Sequence, residues 1–331
     1  AGYWMRLAPK AVAPRPQVRA SPADVHARLA AVLGCRWTWW APDAGNAWRI
    51  LLQAFDVGAS HRVHVPVGVA PYLQDQARAS GARLVEVDLN ESGGTPIWPD
   101  PDTRPTGDRD VFVLDHRFGH PSPLPPDGGL VLEDATAAAG GSLGGRPVGS
   151  LGAAAVLALG EPPFARSKGT LVATDDPQCA ERLRGVPVLA EPAPERAGDL
   201  SGDLGALDDW NEGCRAAAGV YTSVWRGLPD LPLRPVPAST DAVPTYSAYL
   251  IQVADPAALV SDLHRQGIEA ERPCDARIEG LLGGADSRRL AGARAFFRGA
   301  LRLPNHPDLD VHELLHAADA VRRFLQACGR V

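Results

Sequence analysis

The stretch from Val131 to Thr174 constrains the fold more than any other part of the chain. Apolar residues run into Glu133 and Asp134, which is the pattern of a buried strand that ends in carboxylates. A Gly-rich turn follows, then an apolar segment from Ala154 to Leu159, a loop, and a last apolar segment from Gly169 to Thr174. Short apolar runs bounded by Gly and Pro predict successive strands of one buried sheet.

The residues before this stretch alternate between strand and helix patterns. Strands are predicted over 36–41, 61–66, 83–87 and 111–115, and helices over 21–33, 47–55 and 72–80. Alternation of this kind requires crossover connections and predicts a mostly parallel sheet. After it, helical patterns over 207–225, 256–266 and 311–327 accompany one alternating strand at 246–253.

The length of 331 residues predicts two domains. We place an N-terminal arm at 1–20, a large α/β domain at 21–206, and a linking helix with a small α+β domain at 207–331. The formal net charge of −6, without a basic tract or a long apolar run, argues against nucleic acid and membrane partners. A small-molecule substrate is the expected partner.

The cysteines are scattered, with no close pair, so neither a disulfide framework nor a zinc knuckle is expected and a cytoplasmic location fits. One literal motif, His312-Glu313-Leu314-Leu315-His316, has the spacing of a zinc-protease helix. It lies in the terminal helix without an evident third ligand. We interpret it as a chance match and predict no metal site.

Several motifs together resemble the sugar aminotransferases of the DegT/DnrJ/EryC1/StrS family, which use pyridoxal phosphate (PLP). The matching segments are Val63-His64-Val65-Pro66, Asp115-His116-Arg117-Phe118-Gly119-His120-Pro121, Glu133-Asp134, Gly149-Ser150-Leu151-Gly152 and Leu301-Arg302-Leu303-Pro304-Asn305-His306-Pro307. The resemblance implies the fold type I aminotransferase architecture, with a mostly parallel seven-stranded sheet and a smaller α+β domain. It also implies a role in bacterial natural-product or deoxysugar biosynthesis.

The resemblance also implies a homodimer, but the segment over 184–207 is shorter than the interface piece of the family. We therefore expect either a homodimer with an altered interface or a heteromer with a pathway enzyme.

PLP chemistry in this family needs a Schiff-base lysine and a carboxylate at the ring nitrogen. Asp134 stands at the carboxylate position, although a strand-end carboxylate could equally cap the following turn. The lysine position falls among Glu161, Pro162 and Pro163, and the chain has two lysines in all, Lys10 and Lys168. Lys168 aligns with a neighbouring position, so we interpret it as a solvated loop residue.

Other cofactor contacts of the family differ as well. The phosphate turn is replaced by Pro42-Asp43-Ala44-Gly45, and Asp43 would repel a phosphate. The stacking aromatic is missing near Ala70-Pro71, where Tyr72 is a substitute, and Ala137 and Ala158 replace a Gln and a Ser. From these differences we predict that PLP binding is lost and that no cofactor is used.

The cleft beyond the strand ends should remain, since ligands of open α/β sheets bind there. Candidate catalytic residues are Asp134, Glu133 and His116, with a buried framework imidazole as the alternative for His116. Candidate cleft residues are Trp40, Asp43, Asn46, Tyr72, Arg117 and Glu161. The predicted function is a PLP-independent enzyme that uses this cleft. A non-catalytic partner of a pathway enzyme is the alternative, and a non-covalent binder of PLP or a nucleotide sugar is a weaker one.

Overall fold

A computed structural model describes residues 5–7, 21–99, 107–186, 189 and 194–328. Its largest sheet has seven strands in the order β1-β9-β8-β5-β4-β2-β3. Strand β9 runs antiparallel to both of its neighbours, β1 and β8. The other four neighbouring pairs, which join β8, β5, β4, β2 and β3 in that order, are parallel. The strands are β1 (Trp37–Ala41), β2 (Arg62–Pro66), β3 (Arg83–Val87), β4 (Asp110–Asp115), β5 (Leu130–Asp134), β6 (Ser142–Leu143), β7 (Arg146–Pro147), β8 (Ala154–Leu159) and β9 (Gly169–Thr174).

Helices connect these strands and cover both faces of the sheet. They are α1 (Pro22–Leu33), α2 (Ala44–Ala54), α3 (Pro71–Ala79), α4 (Pro177–Arg184) and α5 (Pro194–Arg226). On one face, buried residues of α2, α3 and α4 such as Trp48, Leu73 and Leu183 form one core. On the other face, Leu29 of α1 and Leu200 of α5 belong to a second core. The mostly parallel seven-stranded sheet predicted from the sequence is confirmed.

Capping residues set where two helices begin. Ser21 accepts a hydrogen bond from the backbone N–H of Asp24, and the Asp24 carboxylate accepts one from the backbone N–H of Ser21, which together form a capping box. Helix α2 begins at Ala44, three residues before the predicted start. The reason is Asp43, whose carboxylate accepts the backbone N–H of Asn46 at 2.8 Å and caps the helix.

Helix α5 also begins earlier than the predicted start at residue 207. Its first half buries Leu200, Leu204 and Leu207 in the core shared with α1. Its second half buries Tyr221 and Trp225 in the core of the smaller sheet. The Gly and Asp residues near 199–205 weaken the helical pattern in the sequence, but packing on both cores stabilises the helix. The helix passes without a break through residue 206, where the sequence analysis divides the two domains. That division stays a prediction.

The smaller sheet has the antiparallel order β10-β12-β13, formed by β10 (Leu233–Pro235), β12 (Tyr249–Val253) and β13 (Ala300–Leu303). Strand β11 (Ala242–Val243) joins β6 and β7 in a third, short sheet. The remaining helices are α6 (Pro256–Arg265), α7 (Ala276–Gly283), α8 (Ala291–Gly299) and α9 (Val311–Cys328). This half has the predicted α+β composition.

Part of the predicted N-terminal arm packs against this smaller sheet. Met5 is buried and its backbone bonds to Gly267 and Glu269. Residues 8–20 of that arm lie outside the described residues. Among the helices of the described ranges, none is long and apolar enough to cross a membrane.

Candidate functional site

The carboxyl ends of β4 and β5 bring acidic residues to one edge of the large sheet. Asp115 and Asp134 are paired in register there. Because side chains alternate along a strand, Glu133 and Asp134 point to opposite faces of the sheet. The two neighbouring carboxylates therefore meet different surroundings.

Glu133 has hydrogen bonds from the protein on both oxygens. Its Oε2 accepts the backbone N–H of Gly149 and its Oε1 that of Gly152, each at 2.7 Å. The side chain is fully buried. Gly149 has a φ of 109°, and a Cβ there would lie 3.0 Å from Leu33, which explains the need for glycine. Glu133 thus fixes the loop before β8.

His116 completes the Glu133 cluster. Its Nδ1 accepts the backbone N–H of Ser122 at 2.8 Å, so the proton is on Nε2, which donates to Glu133 Oε2 at 3.1 Å. The ring is fully buried. Both ring nitrogens therefore have protein partners, and this geometry favours the framework role for His116. Its candidacy as a catalyst, like that of Glu133, stays a prediction.

Asp134 has spare hydrogen-bonding capacity. Its Oδ1 accepts the backbone N–H of Thr136 at 3.1 Å, and its Oδ2 accepts the Tyr72 hydroxyl over a long 3.4 Å. Burial, followed by the negative charge of Asp115, raises the pKa of Asp134. The side chain is 9% exposed. Hydrogen bonds from the side chain and the backbone of Thr136 lower this pKa in part. Asp134 is therefore a buried acid whose pKa stays raised although Thr136 donates to it, which makes it a candidate for a functional site.

Arg117 follows β4 at the same edge of the sheet, and two of its guanidinium nitrogens already have protein partners. Its Nη2 donates to Asp115 at 2.6 Å and its Nη1 to the carbonyl of Val67 at 2.7 Å. The guanidinium thus balances the charge of Asp115 and fixes the turn after β2.

The start of α2 adjoins the same edge. A Cβ at Gly45 would lie 4.0 Å from Cβ of Tyr72, so this helix start packs on the first turn of α3. The Asp43 carboxylate accepts hydrogen bonds from the backbone N–H and from the side-chain amide of Asn46, both at 2.8 Å. These bonds lower the pKa of Asp43, so its carboxylate is charged at neutral pH. A carboxylate thus stands at a helix start that would otherwise suit a phosphate.

The loop from residue 160 to 168 borders this edge. Glu161 is exposed, as is Lys168 at the other end. Between them, Ser167 donates its hydroxyl to the buried Asp203 of α5 at 2.7 Å, and its backbone N–H bonds to the same oxygen at 3.0 Å. Helix α5 therefore anchors the loop in which the family carries its lysine.

A cavity of about 370 Å³ lies between this edge and the smaller sheet. Thr136 and Glu161 line one side, and Trp210, Arg302, Asn305 and His306 line the other. Sequence reasoning used Arg302, Asn305 and His306 only as part of a framework motif and missed them as site residues. The available signal was the polar Arg302 between two apolar residues on an alternating strand.

The structure does not bring every predicted residue together. Trp40 is 4% exposed and belongs to the core formed with α1 and α5, whereas Tyr72 packs against the core on the opposite face of the sheet. His312 and His316 are exposed on α9. Within the described residues, no group of three or more His, Cys, Asp or Glu side chains could hold a metal ion.

No family model matches the chain. A curated relative is the dTDP-3-amino-3,4,6-trideoxy-alpha-D-glucose transaminase of Streptomyces venezuelae. The two are 26% identical over 316 residues, covering 85% of this chain and 81% of that protein.

Solved structures of aminotransferases are similar over almost the whole chain. One is S. venezuelae DesV in complex with a ketimine intermediate, at a TM-score of 0.78 and 24% identity, covering 95% of this chain and 91% of that one. Another is the PLP form of a putative sugar aminotransferase, Spr1654 from Streptococcus pneumoniae, at a TM-score of 0.76 and 15% identity, covering 95% and 93%. The chain has the α/β aminotransferase fold, and the proteins it resembles are sugar aminotransferases.

These findings overturn two predictions made from the sequence. The predicted loss of PLP-dependent transamination is wrong, because the similar proteins are named as transaminases and nothing indicates lost activity. The prediction that no cofactor is used is also wrong, since a similar structure was solved with PLP and a PLP cofactor is expected. The two predictions gave the altered lysine and phosphate motifs too much weight, although Asp134 still stands where the resemblance places the carboxylate of the ring nitrogen.

The described residues fit the ring of PLP. Asp134 has a free lone pair for a ring N–H and lies against Tyr72, an aromatic side chain. Backbone N–H groups at the start of α2 remain for the phosphate, next to the charged Asp43. Among the described residues, Lys168 is the lysine that could supply an amine for a Schiff base with PLP.

Proposed function

We propose that this chain takes part in the amination of a sugar, with PLP or its aminated form, pyridoxamine phosphate (PMP), held against Asp134. The observation that carries the proposal is Asp134 itself, a buried acid with a raised pKa at the end of a central strand. The names of the similar proteins support the sugar as substrate.

The bound cofactor would supply an electron-withdrawing ring that carries the amino group between donor and sugar. Asp134 would hold a proton at the ring nitrogen, and its burial strengthens that interaction. Tyr72 would orient the Asp134 carboxylate. Ser167 and Asp203 would keep the loop at 160–168 closed against the cavity.

The finer assignments are part of the same proposal. The substrate class would be the deoxysugars of bacterial natural products, and the reaction would take place in the cytoplasm. We propose a homodimer as the working form, with a heteromer as the alternative; light scattering of the purified protein separates a monomer from a dimer.

The test is to titrate the purified protein with PLP and, separately, with PMP, and to follow cofactor absorbance. Saturable binding of either form is expected. Borohydride reduction of the PLP sample, followed by peptide mass mapping, then shows whether PLP is covalently linked to Lys168. If Lys168 is not labelled, the amino group is carried by PMP instead. Lys168→Ala is the control for the labelled peptide. Absence of binding by both forms would overturn the proposal.

A further inference from the structure

A second acid stands next to Asp134 on the large sheet. Asp115 ends β4 and is the register partner of Asp134, which ends the parallel strand β5. Residues paired in register on neighbouring strands lie on the same face of a sheet, so the two carboxylates are neighbours. Like charges in such positions destabilise a sheet, and a feature of this kind is often found at a functional site.

Arg117 holds the Asp115 carboxylate in place. Its Nη2 donates to Asp115 Oδ2 at 2.6 Å, and its Nη1 donates to the carbonyl of Val67 at 2.7 Å. Gly68 leaves room for this guanidinium, because its φ is 91° and a Cβ there would lie 3.1 Å from Arg117 Nη1. The side chains of Asp115 and Arg117 are 17% and 12% exposed, so solvent screens their charges only weakly.

Asp115 acts electrostatically on both Asp134 and Tyr72. After burial, its negative charge contributes most to raising the pKa of Asp134, and His116 lowers that pKa in part. Burial, followed by the charges of Asp134 and Asp115, raises the pKa of the Tyr72 hydroxyl, which therefore keeps its proton and donates to Asp134. Among the described residues, the titratable groups that act on Asp134 are thus Tyr72 of α3, Asp115 of β4 and His116 after β4. Glu133 points to the opposite face of β5.

We propose that Asp115, held in place by Arg117, is a positioning residue of the cofactor site and acts through Asp134 on the ring nitrogen of PLP or PMP. The proposal rests on the proposed function for the identity of the ligand. A ring nitrogen that gains a proton becomes cationic, and two carboxylates stabilise that cation more than Asp134 alone does. Arg117 limits the repulsion between the two acids, because its cation partly offsets the charge of Asp115. Asp115 itself contacts no reacting atom.

The first measurement uses the full chain without cofactor. Protonated Asp134 contributes its full stability below the unfolded pKa of about 3.9, and this contribution is lost as pH rises through the higher folded pKa. The gain in unfolding free energy that Asp134→Asn produces should therefore grow with pH and level off at the folded pKa. That gain is measured at several pH values in the wild type and in the Asp115→Asn and Arg117→Gln backgrounds.

The two background substitutions should have opposite effects. Asp115→Asn keeps an oxygen for Arg117 and removes the negative charge, so the gain should level off at a lower pH. Arg117→Gln removes the cation that offsets Asp115, so the gain should level off at a higher pH. Asp75→Asn, which removes an exposed charge from α3, should leave the curve unchanged. Shifts of the same sign in both backgrounds, or no shift in either, would overturn the proposal.

The second measurement compares PLP with its deaza analogue, in which carbon replaces the ring nitrogen. At pH 8, Asp115→Asn should weaken PLP binding about three- to tenfold, as the loss of one nearby opposite charge predicts. The same substitution should change binding of the analogue by less than about twofold, because the analogue has no ring nitrogen to protonate. A structural defect would instead weaken both ligands equally, and that result would also overturn the proposal.

The two proposals fail in different ways. If the wild type binds neither PLP nor PMP, the proposed function is lost and the action of Asp115 on the ring nitrogen with it. The curves of the unliganded protein then still decide whether Asp115 sets the charge of Asp134. If the wild type binds PLP but Asp115→Asn weakens PLP and the analogue alike, only the role of Asp115 is lost.

Discussion

Glu133 and Asp134 are neighbours on one strand, yet their surroundings differ in kind. Glu133 receives two backbone N–H groups and the His116 ring, so its charge is fully used inside the protein. Asp134 receives hydrogen bonds from the backbone and the side chain of Thr136 and a long one from the Tyr72 hydroxyl. The first carboxylate stabilises the fold, and the second is the one to which we assign the cofactor.

The contrast between the two acids lies in the strength of their hydrogen bonds and not in their burial, since Glu133 holds two backbone N–H groups at 2.7 Å whereas the contacts of Asp134 with the Thr136 backbone and the Tyr72 hydroxyl measure 3.1 Å and 3.4 Å. Both side chains are buried. A buried carboxylate without enough donors lowers the stability of the folded chain, and such a residue is retained where a ligand completes its hydrogen bonds.

The largest expected effect follows removal of Glu133. Glu133→Ala leaves the backbone N–H groups of Gly149 and Gly152 buried and unpaired, together with the His116 ring. The free energy of unfolding should fall by about 3–5 kcal/mol, as for other broken buried pairs. Denaturant unfolding measures this loss, and stability within about 1 kcal/mol of the wild type would show that Glu133 is not the framework acid.

A smaller, pH-dependent effect is expected at Asp134. Because its folded pKa is raised above the unfolded value of about 3.9, its contribution to stability is full below about pH 4 and is lost as pH rises through the folded pKa. Asp134→Asn does not titrate, so this variant should gain stability relative to the wild type as pH rises from 4 to 8. Unfolding curves at several pH values test the sign; a relative loss with rising pH would contradict it.

The fold could be predicted from the sequence because the periodicity of strands and helices is a local signal. Short apolar runs such as Ala154–Leu159, bounded by Gly, indicate buried strands. The position of Glu133 and Asp134 could be predicted too, since these two residues end a buried strand. The full length of helix α5 could not be predicted from the sequence, because packing against distant parts of the chain stabilises its Gly-containing first half. The hydrogen bonds of Asn305 and His306 were hidden for a similar reason, since their partners are the carbonyls of Cys214, Tyr246 and Arg6, which are distant in the sequence.

Asp43 allows a test of the phosphate end of the site. Asp43→Ser keeps a helix-capping oxygen but removes the negative charge. Affinity for PLP should rise about fivefold, because a like charge at about 4 Å costs about 1 kcal/mol in water. Pyridoxal, which has no phosphate, serves as the matched ligand and should bind both proteins equally. A PLP affinity that does not change would place the phosphate elsewhere.

The smallest effect is expected at Tyr72. Tyr72→Phe removes the hydroxyl that donates to Asp134 and keeps the aromatic ring. Since a bond of 3.4 Å is weak, PLP affinity should rise no more than about threefold, with thermal stability nearly unchanged. An affinity loss greater than tenfold in the same titration would show that the hydroxyl itself contacts the cofactor.

The central claim is that Asp134 is the residue that holds the cofactor, and PLP titration of the wild type beside Asp134→Asn tests it most directly. Asp75→Asn, which removes an exposed charge from α3, is the control. We predict saturable binding by the wild type and the control, and at least tenfold weaker binding by Asp134→Asn, from the loss of a charge-assisted hydrogen bond. Equal dissociation constants for all three proteins would contradict the claim.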